Sequence, residues 1–242
     1  TQRFIVILVN VHTNDRRPLY SYMNRKIFAQ LVAQTNNDVS KITSELIKET
    51  FDVTLDKTHN TIVDYTLDID RECLHRYFAH HWPTDMKKWK HSGLQLIDQV
   101  NDLNPRAVLD VGCGANEFKG KIHNLIGLDP YNHHADFQID LLDFRPMEKF
   151  DVILALGSIN FGGQNKIIAE VSKCVNMLEE DGMIIFRVNP GIQHDKPEAR
   201  WIEFYAWNVP FIIELAGMFN LKVLDIKDDS NKRKYFVYRK VK

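Results

Sequence analysis

Two kinds of hydrophobic pattern divide the chain. From about residue 91 onward, short apolar runs alternate with stretches whose apolar positions recur every three or four residues. The runs are AVLDV (107–111), NLIGLD (124–129), DFQI (136–139), FDVILAL (150–156), MIIFRV (183–188), LKVLDI (221–226) and YFVYRKV (235–241). Each reads as a strand. In QNKIIAEVSKCVNML, Ile167, Ile168, Val171, Cys174, Val175 and Leu178 recur at helical spacing, and EEDG then stops the helix. VPFIIELAGMF (209–219) is a second helix, with Pro210 tolerated in its first turn. HSGLQLIDQVNDL (91–103) is a third, broken off at Asn104-Pro105 before the first strand.

Continuous apolar strands alternating with helices predict a mostly parallel sheet covered on both faces. The last two runs differ. KDDSNKRK, which joins them, is too short for a crossover helix, so they should pair antiparallel. Residues 91–242 therefore read as one doubly wound α/β domain. Residues 1–70 read as a small α+β module, a cap, oligomerisation or substrate-recruiting unit. It would hold a strand RFIVILVNV, helices over Tyr20–Thr35 and Ser40–Phe51, and a β-hairpin in VTLDKTHNTIVDYTLDI. The same order describes a winged helix, but two lysines balanced by two glutamates in SKITSELIKETF suit a phosphate backbone poorly. Residues 71–90 are a linker or lid.

Composition narrows the class. The 242 residues are 44% hydrophobic and 26% charged, with a formal net charge of −1, so no global field draws the chain to nucleic acid. FIVILV (4–9) is too short to span a bilayer and no small-residue cleavage site follows it. Thr1 is compatible with a removed initiator methionine and equally with an arbitrary boundary. Cys73, Cys113 and Cys174 are odd in number and form no CxxC pair, which fits a reducing, cytoplasmic setting and ordinary buried thiols. His80/His81 and His133/His134 are adjacent in sequence, so neither pair alone points to one ion, and no metal is expected.

The chemistry concentrates at AVLDVGCGAN (107–116), where a buried strand ends in Asp110 before Gly112 and Gly114. A dinucleotide loop would want GxGxxG, but Glu117 stands at the third glycine position, and two carboxylates would repel a pyrophosphate. A P-loop would need GK[ST], which is absent. A cationic ligand without phosphate reverses the argument. S-adenosylmethionine (SAM) carries a sulfonium and an α-amino group. Asp129 follows Asp110 by nineteen positions at the next strand end, placed for a ribose diol. Asp140 ends QID, placed for an adenine amine, with the Leu141 N–H placed for a ring nitrogen.

These stretches resemble the class I SAM-dependent methyltransferases over about residues 91–242. VLDVGCG is similar to their first motif, GLDP to their second and QIDLLDF to their third; FDVILALGSINF and VNMLEEDGMIIFRV resemble the following elements. The resemblance implies a seven-stranded sheet with an antiparallel last strand. It also implies SAM bound by Asp110, Gly112, Cys113 and Gly114 near the methionine portion, and by Asp129 and Pro130 at the ribose. Asp140 and Leu141 would meet the adenine, and Leu156 and Gly157 lie at the fourth strand end. Asn116 stands where the family often has glycine, and Asn tolerates left-handed backbone well.

The acceptor side is less defined. GSINF lacks the paired proline of nucleic-acid amino-methyltransferases, and no Pro-Cys nucleophile lies there. An oxygen or nitrogen acceptor of small or medium size is expected. His194 is the best general-base candidate by chemistry and loop position, against a solvated loop histidine. Asn160 either orients an acceptor or caps the next helix. Ser158 and Phe161 sit on the substrate side; Trp201 and Tyr205 either wall a substrate or pack as core. HRYFAHHWPTDMKKWKHSG (75–93) reads as an active-site lid, a single-stranded nucleic-acid platform or a solvated face. Basic clustering at Lys87–Lys90 and Lys232–Lys234 favours an RNA or protein acceptor; the neutral overall charge does not. A non-catalytic scaffold of the same fold is the third reading, and the intact acids count against it.

Overall fold

The structure, a computed structural model, describes residues 22–81 and 85–241. The strand expected in RFIVILVNV and the start of the helix at Tyr20 lie outside them. Three α-helices come first: α1 (Arg25–Thr35), α2 (Ser44–Phe51) and α3 (Ile62–Arg76). Polar caps set their starts. Asn24 accepts from the N–H groups of Lys26 and Ile27, Thr43 from Leu46, and Thr61 from Asp64. The helix expected from Ser40 begins with a 3₁₀ turn at Val39–Lys41, and α2 starts only after Thr43.

The expected hairpin is absent among the described residues. Tyr65, Leu67 and Ile69 alternate as a strand would, but Ile62, Tyr65, Ile69 and Cys73 recur at helical spacing and are all buried. The Thr61 cap, with its hydroxyl also donating to the Asp64 carboxylate (2.8 Å), settles the competition in favour of a helix. Ile27, Leu31, Ile47, Phe51, Ile62 and Ile69 form a helical core that also receives Trp201 from the far end of the chain.

Six strands form one mixed sheet, in the order β2-β1-β3-β4-β6-β5. They are β1 (Val108–Val111), β2 (Leu125–Leu128), β3 (Phe150–Ala155), β4 (Leu178–Val188), β5 (Leu221–Asp228) and β6 (Lys234–Lys240). The first four pair in parallel, and β6 runs antiparallel to both β4 and β5. A short α4 (Leu96–Asn101) packs on one face; α5 (Gln164–Met177) and α6 (Val209–Met218) pack on the other.

The seventh strand expected at 136–139 is a single bridge between Leu128 and Phe137. Asp136 explains it. Its carboxylate accepts from the Gly127 N–H (2.7 Å) and pairs with Lys119 (2.7 Å), while the N–H groups of Asp136 and Phe137 both point at the Gly127 carbonyl. The chain is pinned as a corner and cannot run on as a ladder.

Candidate functional site

The strand order reverses between β1 and β3, so the crevice lies beyond their carboxyl ends. Two loops meet there. Gly112 and Gly114 take left-handed φ values of 70° and 55°. A Cβ on Gly112 would fall 2.3 Å from the Ser158 Cβ, so the loop after β1 presses directly on the loop after β3. Asn116, the departure from the glycine pattern, also adopts a left-handed φ of 56°. Gly112→Ala should therefore cost more than the roughly 1–2 kcal/mol of a left-handed alanine. Gly114→Ala, whose Cβ meets open space, should cost only that conformational part. Denaturant unfolding of the two variants checks the difference, and equal losses would refute the contact.

Asp110 lies inside this junction, 4% exposed. Burial and the neighbouring Asp129 charge push its pKa up to about 7. Among the described residues no cation pairs with it. The Ser158 hydroxyl next door is buried without a hydrogen-bond partner among the described residues. Cys113 sits in the same acidic surroundings, which with burial raise its thiol pKa well above the usual range.

Asp129 stands at the end of β2 and is held by backbone. One carboxylate oxygen accepts from Gly114 (3.0 Å) and the other from Tyr131 (2.8 Å) and Asn132 (2.9 Å), across Pro130. A carboxylate offers about four acceptor positions, so about one remains for a ligand. That is fewer than a full diol clamp needs. Asp140 caps the turn that replaces the expected strand, accepting from the Leu142 N–H at 2.8 Å; Leu141 beside it is buried. Leu156 and Gly157 continue from β3, with Gly157 at φ 126°.

Asn160 fastens the loop after β3. Its side-chain oxygen accepts from the Asn189 N–H (2.7 Å), and its carbonyl from the Tyr205 N–H (2.8 Å), joining the ends of β3 and β4. It is 4% exposed. His194 is bonded on both ring nitrogens: Nδ1 to the Tyr77 hydroxyl (2.8 Å) and Nε2 to the Arg233 guanidinium (2.9 Å). Arginine only donates, so the imidazole is neutral and carries its proton on Nδ1. Burial and Arg233 lower its pKa to about 4. It is thus a weak base, already engaged.

Phe161 packs between Phe78 and Phe204, at ring distances of 5.0 and 5.4 Å, in a cluster that also holds Tyr131. Trp201 does not join it. It packs edge-on against Phe51 (4.8 Å) and donates to the Thr50 carbonyl (3.2 Å), inside the helical core. Tyr205 turns toward Trp207 and Phe211.

Several buried polar residues carry no signal in the sequence pattern. Asn24 donates to Asp70 on α3 (2.7 Å) and to the Trp201 carbonyl (2.8 Å). Lys166 and Glu170 on α5 face each other at 3.8 Å, and burial lifts Glu170 to a pKa of about 7. Tyr77 and Arg233 lie in stretches the sequence singles out, 75–93 and 232–234, but not as a pair meeting at His194. Their partners lie far off in sequence, and only the basic character of 232–234 hinted at the latter.

No family model matches the chain and no curated protein matches its sequence. Solved structures do share its fold. One is the 1,6-didemethyltoxoflavin-N1-methyltransferase of Burkholderia thailandensis, with bound 1,6-didemethyltoxoflavin and S-adenosylhomocysteine. It is 14% identical with a TM-score of 0.55, over 78% of this chain and 94% of that one. Another is the CcbJ methyltransferase of Streptomyces caelestis, 14% identical with a TM-score of 0.51, over 70% and 96%. The chain has the class I methyltransferase fold.

Proposed function

We propose that this chain is a SAM-dependent methyltransferase acting on an oxygen or nitrogen of a small or medium-sized acceptor. One observation carries the reading: a buried Asp110, without a cation partner among the described residues, beside Asp129 at a glycine loop in the crevice of the sheet. Such a site repels phosphate and waits for a cation. SAM supplies one, and S-adenosylhomocysteine, the product of methyl loss from SAM, is bound by the Burkholderia enzyme of the same fold.

In this reading Asp110 and Gly112–Gly114 face the methionine portion, with Ser158 offering an unused hydroxyl. Asp129 gives its remaining acceptor position to the ribose, and Asp140 with Leu141 meets the adenine. Transfer is an in-line displacement at the methyl carbon, so the protein's main task is alignment. Asn160 keeps the β3 and β4 loops in register for it. The ring cluster of Phe78, Phe161 and Phe204 offers an apolar wall for the acceptor. His194, held neutral and engaged by Tyr77 and Arg233, orients groups at that wall and does not take the proton. No helix among the described residues is long and apolar enough to cross a membrane.

Calorimetric titration with SAM and, separately, NADH tests the proposal. Binding of SAM in the micromolar-to-millimolar range is expected, with none for NADH. Absence of SAM binding, or comparable binding of NADH, would overturn it.

A further inference from the structure

We infer that Arg233 forms one side of an anion subsite, and that the methyl acceptor carries an oxyanion, a carboxylate or phosphate, that this guanidinium receives. The inference rests on the methyltransferase reading for calling the bound molecule an acceptor.

Position comes first. β6 runs antiparallel to β4 with Val188 opposite Lys234, so Arg233 lies beside Asn189, at the carboxyl end of the parallel strands. That is the end where the glycine loop and the β3 loop lie. Two further elements converge on it. His194 arrives on the loop after β4, and Tyr77 from the turn that follows α3. Tyr77 and Phe78 also tie this corner to the Phe161 wall through their ring contacts.

Charge comes next. Arg187 and Arg233 are neighbours with different fates. Arg187 is satisfied: its Nε donates to the buried Asp229 carboxylate at 3.1 Å, and its plane lies 4.2 Å over the Trp89 ring. Among the described residues no carboxylate pairs with Arg233, and its side chain makes one hydrogen bond, to the neutral His194 ring. A guanidinium has five N–H donors in a planar fork, so most remain uncommitted. The side chain is only partly exposed, and burial and Arg187 lower its pKa to about 10. Taking a cation out of water without an anion is costly, and a bound oxyanion supplies the missing compensation. The fork matches a carboxylate or phosphate with two parallel bonds.

The surroundings favour the same sign. The two basic segments at 87–90 and 232–234 are one surface: the Ser230 hydroxyl donates to the Lys88 carbonyl (2.7 Å), and the Lys90 N–H donates to the Ser230 hydroxyl (3.0 Å). Lys87, Lys88 and Lys232 are exposed. Lys88 is paired with Asp85 (3.0 Å), so Lys87 and Lys232 carry the attraction of anions toward the corner, where Arg233, in contact with His194, suits a single group.

The test uses the full chain with S-adenosylhomocysteine bound, and follows the His194 ring signals by NMR. The probes are benzoate, the isosteric neutral benzamide, inorganic phosphate and a short oligouridylate. Benzoate or phosphate should shift the His194 signals saturably, and benzamide should not. Arg233→Met should weaken that binding at least about tenfold, as expected for loss of charge-assisted hydrogen bonds. Arg233→Lys, which keeps the charge and loses the fork, should fall between and stands in should the methionine variant not fold. S-adenosylhomocysteine affinity should be unchanged in both. Equal binding of benzoate and benzamide, or anion binding indifferent to Arg233, would overturn the subsite. So would oligouridylate binding that depends on Lys87, Lys88 and Lys232 alone. Failure of S-adenosylhomocysteine to bind while benzoate still does would instead count against the methyltransferase reading.

Discussion

Asp110→Asn is expected to make the ligand-free protein more stable above pH 7 and to abolish most of its affinity for SAM. Asp110 is the penultimate residue of β1, with Gly127 and Leu154 as its strand neighbours, and it is almost wholly buried. Its pKa rises from 3.8 to about 7 through burial and the Asp129 charge. Below about pH 4 the carboxyl is protonated in both folded and unfolded chains and costs nothing. Between about pH 4 and 7 the unfolded chain loses its proton while the folded chain keeps it, so stability falls as pH rises. Above pH 7 the full penalty stands, about 4 kcal/mol for a gap of roughly three pH units. An amide avoids it, which for a chain of this length corresponds to a melting temperature higher by on the order of 10 °C at pH 8. At pH 4 the two proteins should melt together.

The same carboxylate governs the ligand. A sulfonium and an ammonium group favour its ionised form, so wild-type affinity for SAM should fall nearly tenfold for each pH unit below 7. The asparagine variant should bind weakly and show no such slope. Paired melting and calorimetric series across pH 4–8 would check both. Identical melting at pH 8, or a pH-independent wild-type affinity, would mean that Asp110 is not the charged floor of the site.

What the sequence disclosed depended on how local the cause was. Asp110, Gly112, Gly114 and Asn116 could be read because a strand ending in a turn is a local event, and the turn shows its backbone demand in its residue types. The antiparallel tail was legible for the same reason, from the length of KDDSNKRK alone. Residues 53–69 misled because alternation and helical spacing coincide at Tyr65 and Ile69, and a cap at Thr61 outweighs the first pattern. The strand expected at 136–139 failed through Asp136, whose partners Gly127 and Lys119 are distant in sequence. Trp201 sits in a core built by residues 27–73, and no local pattern could tell that from a pocket wall. Arg233 belongs to the same class: among the described residues no carboxylate pairs with it, whereas Asp229 pairs with Arg187.

Asp229→Ala is expected to cost about 3–5 kcal/mol, because it would leave Arg187 as a buried cation without an anion. Asp229 sits in the turn between β5 and β6 with its side chain fully buried, and Arg187 is 8% exposed. One carboxylate oxygen accepts from the N–H groups of Lys90 (2.6 Å), His91 (3.1 Å) and Ser230 (2.7 Å); the other accepts from Ser92 and Arg187. Burial opposes its ionisation, but these donors and the Arg187 charge outweigh it and hold its pKa below the usual carboxylate range. Its contribution is therefore present above about pH 4 and lost as acid protonates the folded form. The residue also locks the 88–92 segment, which leads from the helices into the sheet, against the turn that carries Arg233. Two roles are thus combined, an ion pair and a backbone clamp, and a double-mutant cycle separates them. Were the ion pair dominant, Arg187→Met in the Asp229→Ala background would cost little more, since it removes the stranded charge, giving a coupling of at least about 1 kcal/mol. Strictly additive losses in denaturant unfolding would assign the effect to the three backbone N–H groups instead. In that case the pairing of Arg187 would no longer support the proposed contrast with Arg233.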